Sequence, residues 1–144
     1  MPIVGVNIIN IAAKKSSDPT GPTRVNNSVN IGEIRERDLP IVNKKGLSVS
    51  FEYKADYVNE KNKQFAEIFI AGEVVFVDDN HEKILKTWRN DKKLPEDLNL
   101  QISNSVLRRC TTQALVLSEE LQLPPPIPLP QASKKKEDES RYIG

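Results

Sequence analysis

The sequence is short of reactive groups. Among 144 residues there is one cysteine, Cys110, and one histidine, His81. A single thiol excludes an intrachain disulfide and leaves no cysteine pair for a metal site. The six glycines are scattered, and none falls in the spacing of a phosphate-cradling loop. No apolar run reaches the roughly 18 residues of a membrane span. The apolar stretch at the N-terminus lacks the basic flank of a secretory signal. Charge of one sign is also missing: 21 basic against 20 acidic residues leave +1, which gives no whole-molecule attraction to nucleic acid or a membrane surface. The basic clusters Lys14-Lys15, Lys44-Lys45, Arg108-Arg109 and Lys134-Lys135-Lys136 are short. They fit solvated loop and helix surface better than a nucleic-acid footprint. The expectation is a soluble, cytoplasmic protein with no cofactor and, at this length, a single domain.

The two reactive side chains make a thin catalytic inventory. His81 stands beside Asp78, Asp79 and Glu82, at a helix start where acidic residues are favoured by free amides and the helix dipole. Cys110 lies inside an apolar helical stripe, where a thiol behaves as a small hydrophobe. A metal site at the first position and a histidine-activated nucleophile at the second are the enzymatic readings. Both are weaker than the structural ones, so the chain reads as a non-enzyme.

What the sequence has is strand patterning. From Leu47, the residues Leu47, Val49, Phe51, Tyr53, Ala55 and Tyr57 alternate with Ser48, Ser50, Glu52, Lys54 and Asp56, so one set lines each face of a sheet. Asn59-Glu60-Lys61-Asn62 is a turn. The return strand, Gln64 to Val77, is apolar on both sides: Ala66, Ile68, Ile70, Val74 and Phe76 on one, Phe65, Phe69, Val75 and Val77 on the other. A strand of that kind is covered on both faces. Ile3 to Lys14 is a first strand whose apolar parity changes between Ile8 and Ile9, which predicts a bulge or two buried faces. Ser16 to Thr23 is a breaker-rich loop, long enough to cross from one sheet edge to another. Val25 to Leu39 is a weaker strand with Ile34 out of register, and Pro40 to Gly46 is a turn.

After Val77 the period becomes helical. Asp78 or Asp79 is a candidate cap, with Ile84, Leu85 and Trp88 on one face and Lys92 and Lys93 at the negative end. Pro95-Glu96-Asp97 opens a longer helix with an apolar stripe at Ile102, Val106, Cys110, Ala114, Leu117 and Leu121. Leu107, Leu115 and Val116 widen it. Pro124 to Pro130 is too proline-rich for helix and is extended. It is expected to lie against its own domain through Leu123, Ile127 and Leu129, rather than dock into another protein. Residues 1–131 then form one domain, and 132–144 a charged tail expected to be disordered. Isolated Gly72 marks a bulge or a close packing contact. The predicted class is α+β: a four-stranded antiparallel sheet with two C-terminal helices packed on one face. Two helices hide one sheet face only. The apolar surplus therefore points to a partner, a ligand or a second copy.

The order of elements, from Ile3 to about Leu129, resembles the SecB export-chaperone family. Ala66-Glu67-Ile68 followed by Gly72 and Val74-Val75 is similar to the family's last strand. Arg108-Arg109-Cys110-Thr111-Thr112 is similar to the Arg-Glu-Cys-Ile-Thr stretch of its long helix. Gln122-Leu123 with Pro126 resembles its Gln-Leu-Asn-Leu-Ala-Pro tail. The resemblance implies an ATP-independent chaperone that binds unfolded or slowly folding polypeptides in apolar grooves between sheet, crossover loop and long helix. It also implies self-association as dimers or dimers of dimers, and a part in protein transport or in service to another partner such as an antitoxin. Two stretches differ from the family: Ser16 to Asn27 has no aromatic residue, and Lys134 to Gly144 has no cysteine or histidine for the zinc that some members hold. The expected client-binding residues are Phe65, Phe69, Leu117, Leu121, Leu123 and Ile127. The competing reading is a non-enzymatic interaction or assembly subunit dedicated to one specific protein partner.

Overall fold

A computed structural model describes residues 3–40 and 44–134. Its elements run β1 (Ile3–Lys15), β2 (Arg24–Leu39), β3 (Lys44–Val58), β4 (Gln64–Phe76), α1 (His81–Asp91) and α2 (Glu96–Glu120). The four strands form one antiparallel sheet in the order β1-β4-β3-β2, and the class is the α+β one expected. β1 and β2 are the two edges, so the loop between them crosses the full width of the sheet. Of the expected turn between Leu39 and Gly46, residues 41–43 lie outside the described part, as do 135–144 of the charged tail.

The hairpin joining β3 and β4 closes as its asparagines dictate. The Asn59 side-chain oxygen accepts from the amides of Lys61 at 2.9 Å and Lys63 at 3.0 Å. Asn62 takes a left-handed φ of 60°, which asparagine tolerates better than most residues.

Alternation then sorts the two faces. Leu47, Val49, Phe51, Tyr53, Ala55 and Tyr57 are all buried, with Ala66, Ile68, Ile70, Val74 and Phe76 beside them. Ile84 and Leu85 of α1 and Leu98, Ile102, Val106, Cys110 and Ala114 of α2 complete the same cluster, so both helices cover this face. The parity change in β1 is a bulge between Ile8 and Asn10, and a second lies between Ile3 and Gly5. In β2 the register slips between Ile31 and Ile34, which returns Ile34 to the buried face. Gly72 sits where β1 presses on β4: a Cβ there would meet the Asn7 carbonyl oxygen at 2.1 Å and the Ile8 Cα at 2.9 Å.

Two local expectations differ from the structure. Neither Asp78 nor Asp79 caps α1; the N-cap is Asn80. Asp78 instead accepts from the Asn80 amide at 2.8 Å, an Asx turn that delivers the chain to the helix. The buried stripe of α2 runs Leu98, Ile102, Val106, Cys110, Ala114, Ser118, a strict step of four. It ends on Ser118, with Leu117 and Leu121 half-buried at its flank. Steps of four drift about 40° around a helix with 3.6 residues per turn, so the stripe moves off the leucines. The Ser118 hydroxyl is satisfied by donating to the Leu115 carbonyl at 2.8 Å. No helix among the described residues is long and apolar enough to cross a membrane.

Candidate functional site: a groove holding an extended segment

At the end of α2 the chain turns back on the sheet. Gln122 adopts φ 55°. Its amide bonds to the Glu119 carbonyl at 3.1 Å, and the Leu123 amide bonds to the Ser118 carbonyl at 2.8 Å. These bonds close the helix by a left-handed cap, and Pro124 prevents any continuation. The segment that follows leaves the helix at Leu123, bends at Pro126 and Ile127, and passes over the helix-bearing face from β1 past β3 to β2. Lys15 of β1 donates its Nζ to the Leu121 carbonyl at 2.7 Å. Tyr57 of β3 donates its hydroxyl to the Pro124 carbonyl at 2.6 Å. Asn27 of β2 donates Nδ2 to the Pro126 carbonyl at 2.8 Å. The Asn27 oxygen accepts in turn from the Tyr53 hydroxyl at 2.8 Å, which fixes the amide so that its nitrogen points at the segment.

Buried phenol hydroxyls need a partner, and both of these have one. Desolvation pushes the Tyr53 and Tyr57 phenols up to about 12, so both stay protonated well into the alkaline range. Tyr57 also meets Phe65 edge to face, with ring centroids 6.3 Å apart. Phe65 is held from the backbone as well, its carbonyl accepting from the Ser16 amide at 2.7 Å at the start of the crossover loop. The groove thus has an aromatic floor, a rim of three donors from three strands, and the end of α2 as one wall.

Of the six expected client-binding residues, this end of the molecule collects five. Phe65 and Leu123 are buried, and Leu117, Leu121 and Ile127 are half-buried. Phe69 stands apart. It pairs in register with Ala12 and Lys54 on the opposite, helix-free face. The proline-rich segment does lie on its own domain, through Leu123, Pro126 and Ile127, but Leu129 remains 47% exposed and does not anchor it. The donors Lys15, Asn27, Tyr53 and Tyr57 were not singled out from the sequence. The signal was present: two tyrosines on a buried face each need a partner for the hydroxyl, and a run of prolines offers carbonyls without amide protons.

The helix-free face is more polar than the β4 pattern suggested. Ser48, Ser50, Glu52, Lys54 and Asp56 of β3 face it, so Phe69 and Val75 of β4 meet polar Lys54 and Ser48 on one side and the small Ala12 and Gly5 of β1 on the other. A shallow depression of about 420 Å³ on this face is lined by Ile9, Glu33, Arg35, Arg37, Ser50 and Glu73, among others. There Glu73 accepts from Ser48 Oγ at 2.7 Å and pairs with Arg37. Ile9 adds exposed apolar surface at the β1 edge of this face, and the other exposed apolar side chains are Val4 and Ile11 on β1 and Leu100, Leu107 and Val116 on α2.

The enzymatic candidates are not poised for chemistry. Cys110 is fully buried, and desolvation pushes its thiol up to about 11, away from the reactive thiolate. His81 places Nε2 4.0 Å from Glu36 Oε2. Among the described residues no group of three or more His, Cys, Asp or Glu side chains could hold a metal ion.

No family model matches the chain, and no curated protein matches it in sequence. Among solved structures, it is similar to the Mycobacterium tuberculosis Rv1957 SecB-like chaperone in complex with a ChAD peptide from the Rv1956 HigA1 antitoxin. The TM-score is 0.57 at 13% identity, covering 94% of this chain and 92% of that one. At that identity the likeness shows the fold, which is the SecB-like one.

Proposed function

We propose that the chain is a non-enzymatic, ATP-independent chaperone that holds unfolded or slowly folding polypeptides in its apolar grooves. One observation carries the reading: an extended segment already lies across an aromatic floor, held by side-chain donors from three strands. A surface that takes one extended chain through backbone carbonyls and apolar side chains has the chemistry to take others. The client surface comprises Phe65 and Leu117 of the groove, with Phe69 as a separate contact on the far face; Leu121, Leu123 and Ile127, expected from the sequence to face clients, lie in the segment that fills the groove and mark where client side chains would sit. Residues 1–131 act as one domain, the protein works in the cytoplasm, and it serves protein transport or a related client pathway. It self-associates through its exposed apolar edge. The SecB-like fold supports this reading. The test is suppression of aggregation of a reduced, unfolded reporter protein. Stoichiometric suppression without ATP is the expected result, and no effect at a several-fold excess of subunits overturns it.

One finding favours the narrower reading of a subunit dedicated to one protein partner: the structural neighbour holds a peptide from a single antitoxin. That reading predicts one stoichiometric partner on purification and no effect on the unfolded reporter.

A further inference from the structure

The groove meets its segment through one kind of contact. Among the described residues, every side-chain hydrogen bond to 121–126 runs from a sheet donor to a backbone carbonyl. A peptide that adds to a sheet edge is read differently, through alternating donors and acceptors. Here the amides of an ordinary segment would be carried over the aromatic floor without partners. Each unpaired amide costs about tenfold in affinity. Proline removes that cost, because it keeps the carbonyl and has no amide proton. It also presets the extended backbone, so less order is lost on binding. In the resident segment Pro126 is buried and Pro124 half-buried, the two positions where an amide would lose water, while Pro125 is exposed and contributes through its stiff backbone.

We infer that the groove is a carbonyl-reading site selective for apolar, proline-containing extended segments, and that residues 121–130 are its resident occupant, which a client must displace. The inference rests on the client-binding reading for its biological use, but its chemistry can be tested separately. The relay from Tyr53 through Asn27 to Pro126 and the Tyr57 bond to Pro124 are the selective elements. Leu123 is the apolar plug that keeps the resident segment seated.

The probe is a fluorescent peptide with the sequence of residues 121–131, followed by polarisation on the full chain. Wild type binds it weakly, because the groove is filled. Leu123→Asp drives a charge into the floor and loosens the resident segment, so it binds the probe at least tenfold more tightly. Ile127→Asp, at a half-buried position, does the same to a smaller degree and serves if the first variant does not fold by circular dichroism. Adding Tyr57→Phe to either variant removes one donor while keeping the ring, and weakens the probe about fivefold. A probe with alanine in place of Pro124, Pro125 and Pro126 binds at least tenfold more weakly. Equal binding by wild type and both loosened variants overturns the inference, as does equal binding of the proline and alanine probes. The unfolded-reporter assay on the same proteins separates the two ideas. Suppression by wild type with no gain in probe binding on loosening removes the resident-segment inference alone. Probe binding as described, with no suppression by any variant, removes the chaperone reading alone.

Discussion

Glu73 shows how one residue ties together elements that are remote in sequence. Its carboxylate accepts from Ser48 on β3 and pairs with Arg37 on β2. The Ser48 hydrogen bond, chiefly, holds it below its ordinary 4.5; partial burial pushes the other way, and the Arg37 guanidinium adds to the lowering. A carboxyl whose folded value is depressed contributes stability above its unfolded value, and that stability is lost as pH falls through the folded value. Glu73→Gln therefore lowers stability at neutral pH by about 0.5 kcal/mol, the scale of a partly exposed pair. The gap between wild type and variant in urea titrations closes as pH falls through and below the ordinary 4.5. A gap that is unchanged over that range overturns the assignment. Gly72, its neighbour, was legible in the sequence, because an isolated glycine in a strand announces close approach. The Glu73 partnership was not, since it depends on register, and two bulges in β1 and one in β2 set that register.

Elements were legible where a single period runs through them. The alternation of β3, the parity break of β1 and the helical stripe of α2 all appear in the structure at the positions their patterns imply. Their ends were less legible, because caps depend on bonds between residues two to five apart and not on periodicity. The start of α1 moved from Asp78 or Asp79 to Asn80, and the end of the α2 stripe moved from Leu121 to Ser118. The α2 terminus carries its own prediction. Gln122 holds φ 55°, a left-handed conformation that costs a residue with a Cβ roughly 1 kcal/mol and glycine almost nothing. Gln122→Gly is expected to stabilise the fold by about 0.5 kcal/mol, after part of the gain is lost to the greater freedom of glycine in the unfolded chain. Chemical denaturation measures it. A loss of stability would mean that the Gln122 side chain contributes more than its backbone strain removes.

At the scale of the whole molecule, the sequence signalled surplus apolar surface and misplaced it. Period two tells which side chains share a face, but not which strands flank them. Phe69 and Val75 lie between polar Lys54 and Ser48 of β3 on one side and the small Ala12 and Gly5 of β1 on the other. The surplus is concentrated on the edge instead, and the two edges differ. β2 carries Arg24, Glu33, Arg35, Glu36, Arg37 and Asp38, and charges keep an edge from pairing with another chain; both edges are bulged, so charge is what separates them. β1 has no charged residue from Ile3 to Ala13, and it exposes Val4, Ile9 and Ile11, with Ile9 68% accessible. An uncharged apolar edge of that length invites a second copy, whose β1 would continue the sheet and cover these side chains. Light scattering is then expected to give at least twice the 16.2 kDa chain mass. Ile9→Lys with Ile11→Lys should return the mass to that of one chain, with the far-UV spectrum retained, because both positions lie outside the buried cluster. A wild type that stays at one chain mass up to high micromolar concentration defeats the edge proposal. An oligomer that survives both lysines shifts the contact to the exposed Leu100 and Leu107, which share one face of α2 at a spacing of seven.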